Sequence, residues 1–354
     1  MSTMIDWVVA EWIATRVAGA GTDATPPQVD LPAMTIDAQT RVTAYTGLTP
    51  VHPIPIPEGI GRAEWVTANL TSMRRLMDPV LARAGKGLGP LAPAAQIALG
   101  FAMSAEVGVL VGYMAQRVLG QYELVLLEGE DGSPPRLLFV MPNLTKAVAT
   151  FGADEQEFMT WVALHEVTHA VQFGGVPWLQ GHLSGLITEL MASAEVRMDT
   201  KRRLRLPTRA GLSRVGSAIR HGDLIAIVTN DSERGTIDRV QAVMAVIEGH
   251  AEHVMDAVAP ELLPSLPELR EALDSRRQSQ KRLSRLIGRL LGLEMKMRQY
   301  ERGKIFCDAV VDAAGPAGLT HVFSAPEALP SLEEIEDPAA WLRRVGLTSA
   351  PAAA

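Results

Sequence analysis

Residues 162–173 read VALHEVTHAVQF, two histidines and a glutamate inside an otherwise uncharged, apolar run. Burying three such groups costs free energy unless each finds a partner, so a helix without chemistry rarely carries them. His165 and His169 are four residues apart. On a helix that places them about 40° apart around the axis and one turn apart along it, so both imidazoles can converge on one ion. Glu166 follows the first histidine directly, where a carboxylate can hold a metal-bound water without ligating the metal. This is the HExxH arrangement of zinc hydrolases. Two neutral imidazoles and one carboxylate leave a tetrahedral zinc one open position for water. The ion brings that water's pKa to roughly 7, and Glu166 would take its proton and pass it to the leaving group.

The helix is well delimited at 155–173. Asp154 can cap it, Glu157 three positions later completes a capping box, and Gly174, Gly175 and Pro177 end it. The flanking Val162, Ala163, Val167, Thr168, Ala170 and Val171 are uncharged and none is proline. Glu166-x-x-His169 is also half of a di-iron signature, which needs a second Glu-x-x-His. None exists, because Leu179, Ile247 and His250 stand three residues before His182, His250 and His253. The three-histidine extension needs Gly and His where the chain has Gln172 and Gly175, so that class is excluded. A glutamate on a later helix is the natural third ligand, and Glu189 and Glu248 are the candidates.

The 354 residues exceed the usual single-core size and can bury an ample core. A net charge of −7 gives no general attraction to phosphate backbones, so nucleic acid is not an expected partner. The single cysteine, Cys307, excludes an internal disulfide framework and a multi-cysteine zinc cluster, and fits a reducing, cytoplasmic compartment. The N-terminal MSTMIDWVVAEWIATRVAG carries Asp6 and Glu11 and lacks a basic leader, so it reads as an amphipathic helix rather than a signal peptide. The apolar segment 91–119 is long enough to span a bilayer, but its small residues and Glu106 suit a tightly packed central helix of a soluble protein. No transmembrane segment is expected.

Along the chain, TPVHPIPIPEG (49–59) is too proline-rich for a helix or central strand and reads as an extended connector. Helical periodicity resumes at 63–84. YELVLL (122–127) and LLFVM (137–141) form the one convincing hairpin, turned by EGEDGSPPR. Helices are expected at 155–173, 178–204, 236–258, 267–290 and 293–314. The basic stretches 201–209 and 276–292 read as helix ends and solvated faces in an acidic protein. The expected class is mainly α (α+β), a helical bundle around the HExxH helix with a small sheet. Its expected extent is one compact domain over 1–345, helical over 1–120 and catalytic over 121–345, with a frayed tail at 346–354.

HEVTHAVQFGGVPWL, EGHAEHVMD, LGLEMKMRQYERG and EEIEDPAAWLRRVG occur in that order. Together they resemble the landmarks of a bacterial zincin-like family of zinc-dependent metallohydrolases, sometimes associated with deazaflavin-cofactor biosynthesis. The resemblance covers nearly the whole chain. It implies a zincin-like, mostly helical fold and an HExxH zinc site completed by glutamate, and it implies no substrate.

Between the two glutamates, the sequence favours Glu248. Glu189 lies twenty positions after His169 (189 − 169), a separation familiar in thermolysin-like enzymes. Those enzymes place an aspartate four residues later, where this chain has Ser193, and Glu189 projects away from the stripe of Leu183, Leu186, Ile187, Leu190 and Ala194. Glu248 lies at the margin of the stripe Met244, Ile247, Ala251 and Met255, with Gly249 beside it, and the family landmark EGHAEHVMD contains it. Tyr300 is a candidate oxyanion donor, with a packed helix tyrosine as the competing reading. His250 and His253 are candidates for oxyanion stabilisation or ligand support, against a reading as surface histidines. The expected activity is hydrolysis of a peptide or other amide by a Zn2+ site of His165, His169 and Glu248, with Glu166 as general base. The alternative is a non-catalytic zinc-binding protein that retains the site. Oligomeric state is not readable.

Overall fold

The structure is a computed structural model and describes residues 5–21, 28–87, 93–123, 134–200, 231–264 and 293–347. Helix α1 (Trp7–Ala18) starts at Asp6, whose carboxylate accepts from the Val8 and Val9 amides. Helix α2 (Leu31–Thr46) is capped by Asp30, opens on Pro32 and stops at Gly47, whose φ of 70° suits only glycine comfortably. Strand β1 (Pro57–Ile60), α3 (Arg62–Gly87) and α4 (Pro93–Ala115) follow. Strands β2 (Gly120–Glu123) and β3 (Arg136–Val140) come next. The chain continues through α5 (Met141–Phe151), α6 (Glu155–Gly175), α7 (Pro177–Thr200) and α8 (Asp231–Val258). Then come α9 (Leu293–Ala314) and three short helices, α10 (Pro316–Val322), α11 (Leu332–Glu336) and α12 (Pro338–Arg344). The protein is mainly helical with one small sheet, as the sequence leads one to expect.

β3 is the centre of the three-stranded sheet. It pairs parallel with β1 and antiparallel with β2. Alternate side chains of a strand face opposite ways, and both faces of β3 are buried. Leu137 and Phe139 enter the core formed by α2, α6, α7, α8 and α9, whereas Leu138 and Val140 enter a second core with α1, α3 and α4. The hairpin is therefore real, with β2 as its outer strand. The proline-rich connector differs from expectation at its end, where Pro57–Ile60 forms an edge strand. Proline is compatible with an edge because its missing donor need not face the ladder. A bidentate contact from Arg136 to Glu58 (2.9 and 2.6 Å) fixes this pairing.

The apolar segment expected to be a buried central helix is peripheral. Gly108 and Gly112 of α4 let it lie against the Ala10 and Ala14 carbonyls of α1, but Ile97, Phe101 and Val109 on its outer side are exposed. Small residues had the packing role expected of them, against one neighbour rather than all round. Among the described residues no helix is long and apolar enough to cross a membrane. The helix expected over 267–290, the basic stretches 201–209 and 276–292, and residues 124–133, which hold much of the expected strand 122–127 and of the turn after it, lie outside the described residues.

Helix α9 crosses α8 at its closest approach. A Cβ on Gly303 would lie 1.9 Å from the Ala245 carbonyl oxygen, and one on Gly249 would lie 2.1 Å from the Gly303 carbonyl carbon. Both collisions are with main chain, so the helices must separate to admit a side chain. Gly303→Ala should cost about 3 kcal/mol or more of unfolding free energy, at or above the upper end of usual overpacking costs. A Cβ on Gly185 of α7 would meet nothing within 4 Å, and Gly185→Ala should instead stabilise by about 0.5–1 kcal/mol. Denaturant melts of the two variants check the contrast.

Candidate metal centre

Helix α6 runs through the main core, capped by Asp154, which accepts from the Glu157 amide at 2.9 Å. It delivers His165 and His169 to one side, where α8 brings Glu248. One donor atom from each of the three lies within 4.8 Å of the others. The two Nε2 atoms are 3.2 Å apart, and Glu248 Oε2 is 3.9 Å from that of His165 and 3.7 Å from that of His169. Glu189, the rival third ligand, is engaged elsewhere: its Oε1 accepts from Thr236 Oγ1 at 2.7 Å and pairs with Arg239 at 2.6 Å.

The protons on the two imidazoles follow from their other partners. Gln172 Nε2 donates to the Ile247 carbonyl at 3.1 Å, which fixes the amide orientation and turns Oε1 toward His169 Nδ1 at 3.0 Å. An amide oxygen can only accept, so His169 carries its proton on Nδ1. His165 Nδ1 lies 3.3 Å from the Met255 thioether sulfur, a weak acceptor that suits a proton on that nitrogen. With both rings protonated on Nδ1, the two Nε2 lone pairs lie 3.2 Å apart and repel. A cation between them removes the repulsion. Two nitrogens about 2.0–2.1 Å from a tetrahedral zinc lie roughly 3.3–3.4 Å apart, close to the observed separation. The residues present therefore fit zinc.

Gln172 was not identified from the sequence, where it registered only as a departure from the three-histidine pattern. Its position three residues beyond His169, among apolar neighbours, was the available signal. Its Nε2 also lies 2.9 Å from His250 Nδ1, which accepts. His250 and His253 are both buried, not surface residues. Burial, with further contributions from His253 and His169, pushes the His250 pKa down to about 3, so it is neutral. His253 spends both ring nitrogens on protein partners, Tyr45 Oη and Asp308 Oδ1, each at 2.7 Å, and links α2, α8 and α9. Tyr300 belongs to α9, but its side chain lies outside the described residues.

Glu166 is buried against β2. Its Oε2 accepts from the Tyr122 amide at 2.9 Å. Burial raises its pKa to about 7, against the lowering effects of His169 and the Tyr122 hydrogen bond and a further raising effect of Glu248. Cys307 is also buried, which pushes its thiol pKa up and leaves it inert at neutral pH.

A histidine pair on one helix, faced by a glutamate on another, is the donor set of a zinc hydrolase. Residues 5–342 match the family model of zincin-like metallopeptidases, and the protein belongs to that family. A crystal structure described as that of a proposed hydrolase with a novel fold, from Chloroflexus aurantiacus, superposes with a TM-score of 0.72 at 30% identity, covering 97% of this chain and 99% of that one. Comparison with curated proteins returns no match.

Gln172→Leu keeps the approximate volume but removes the acceptor that holds His169 in its tautomer. Zinc affinity should fall about 10–100-fold, the usual consequence of losing a ligand's hydrogen-bonding partner. Competition with a chromophoric chelator measures it.

Proposed function

We propose that the protein is a zinc metallopeptidase in which His165, His169 and Glu248 hold the ion and Glu166 is the general base. The observation that supports this most directly is the pair of imidazole Nε2 atoms 3.2 Å apart with a carboxylate oxygen 3.7–3.9 Å from each. When bound, zinc supplies Lewis-acid polarisation of the scissile carbonyl and acidifies water. The chain's own residues supply the rest. Glu166 Oε2 is held by the Tyr122 amide, and among the described residues its Oε1 accepts no hydrogen bond. Oε1 takes the proton of the attacking water, and the carboxyl group then returns it to the leaving nitrogen. Tyr300 remains our candidate for a hydrogen bond to the developing oxyanion.

The substrate class we propose is a peptide, in keeping with the zincin-like metallopeptidase family to which the chain belongs. We place the protein in the cytoplasm on the strength of its single, buried cysteine, and take 1–345 as the functional unit.

Two experiments test this reading. Glu166→Gln should retain about one zinc per chain by elemental analysis while turnover of a quenched-fluorescent peptide falls at least 100-fold, because only the proton carrier is lost. Unchanged turnover would remove Glu166 from the mechanism, and zinc retention without turnover in the wild type would favour a non-catalytic zinc protein. Second, Glu248→Ala should lose most of its zinc whereas Glu189→Ala should keep it. A loss confined to the Glu189 variant would overturn the ligand assignment.

A further inference from the structure

Position 120 has no room for a side chain. A Cβ on Gly120 would lie 2.6 Å from Glu166 Cγ, 2.9 Å from its Oε1 and 3.0 Å from its Cδ. Two residues further on, the Tyr122 main-chain N–H donates to Oε2 of the same carboxylate at 2.9 Å. The sheet does not use that donor. The Val140 amide bonds to the Leu119 carbonyl at 2.9 Å, and Gly120 and Tyr122 stand opposite Phe139 and Leu137. Bonded pairs alternate along an antiparallel ladder, so Gln121 bonds to Leu138 while the main-chain groups of Gly120 and Tyr122 point outward. The outer side of β2 therefore meets Glu166 twice, with a gap where a side chain would be and with an otherwise unpaired donor.

We propose that Gly120 and the main-chain N–H of Tyr122 are positioning elements for Glu166, together fixing the direction in which its free oxygen faces the His165–His169–Glu248 group. The inference rests on the reading of Glu166 as general base and goes beyond it by assigning its aim to β2 rather than to α6. The helix fixes only the Cα–Cβ direction of a glutamate, and its remaining torsions are free. With β2 in place, Cγ is confined by the Gly120 main chain and Oε2 is tied down, so Oε1 is the oxygen left for proton transfer. A displacement of about 1 Å in such a group costs on the order of 100-fold in rate.

The test uses the full zinc-loaded chain in five forms: wild type, Gly120→Ala, Tyr122→Pro, Tyr122→Ala and Glu166→Gln. Proline at 122 removes the donor without breaking a ladder bond, since that N–H faces away from β3. Alanine at 122 removes only the ring, which stacks on Phe173 at 6.0 Å, and so measures the ring's share. For a quenched-fluorescent peptide cleaved by the wild type, Gly120→Ala should keep its zinc and its KM while kcat falls about 100-fold. Tyr122→Pro should fall a further tenfold or so below Tyr122→Ala.

A readout that needs no turnover is amide exchange in protein labelled with 15N-tyrosine, which has four tyrosines. The Tyr122 amide should exchange slowly in the wild type and about tenfold faster or more in Gly120→Ala, with the Tyr113 amide within α4 as the unchanged reference. Wild-type kcat in Gly120→Ala, or equal Tyr122 exchange in both proteins, would overturn the positioning role while leaving an inactive Glu166→Gln to uphold the base. A fully active Glu166→Gln would overturn the base assignment and this inference with it.

Discussion

Two imidazole nitrogens brought close together from successive turns of one helix set the terms for the rest of this molecule. Their separation of 3.2 Å is tolerable only with a cation between them or a proton on one of them. Each ring has an acceptor on its far side, the Gln172 amide oxygen for His169 and the Met255 sulfur for His165, which suits Nε2 lone pairs kept for a cation. Both acceptors depend on α8. Met255 belongs to it, and Gln172 is oriented by the Ile247 carbonyl. The same helix carries Glu248. One helix therefore supplies or orients the far-side acceptors of both histidines and carries the carboxylate beside them.

That dependence gives the glycine contact behind α8 its significance. Gly249 immediately follows Glu248, and its Cα face lies against Gly303 of α9, while Gly303 lies against Ala245. These main chains approach closely, so α9 backs the turn of α8 that carries Glu248. On the other side of α6, β3 is clamped between two cores through its alternating side chains, and β2 hangs from β3. The donor trio and the neighbouring carboxylate are thus held from opposite directions, by a helix pair and by a sheet edge. Rigid elements place both, as a site needing sub-ångström alignment requires.

The sequence made α6 legible because its signals agree: a capping aspartate, a buried apolar stripe, and two histidines at helical spacing. The place of Glu248 beside the two histidines was legible from its position at the edge of an apolar stripe, since a side chain that joins them must face the core side of its helix. Other features were not. β1 hides behind prolines that argue against a strand, and becomes one because a parallel edge partner needs few donors. α2 went unread because it carries no strong apolar period, although Asp30 and Pro32 announce its start, and α5 because it is short and begins directly where β3 ends. The outer face of α4 was misjudged because hydropathy reports how apolar a helix is, not how many neighbours it has. Gln172 was missed because its role lies in a hydrogen-bond chain to α8, which no local spacing encodes.

The placement of Glu166 shows how the local and the distant combine. Motif spacing puts this carboxylate one residue from His165, which brings it near the His165–His169–Glu248 group but leaves its direction open. Burial alone would favour its neutral form, because removing a carboxylate from water penalises the charge. The Tyr122 amide works against that penalty by donating to one oxygen, and does so at no cost to the sheet, since an edge strand has a spare donor at every second residue. Strand edges are usually liabilities that a protein must cover or charge. Here the exposed donor of β2 is covered by a buried acid, and the glycine two residues before it lets the acid approach. An HExxH helix thus depends for its aim on a strand more than forty residues upstream in the chain (166 − 122 = 44), which is why the motif alone specifies the chemistry of this site but not its geometry.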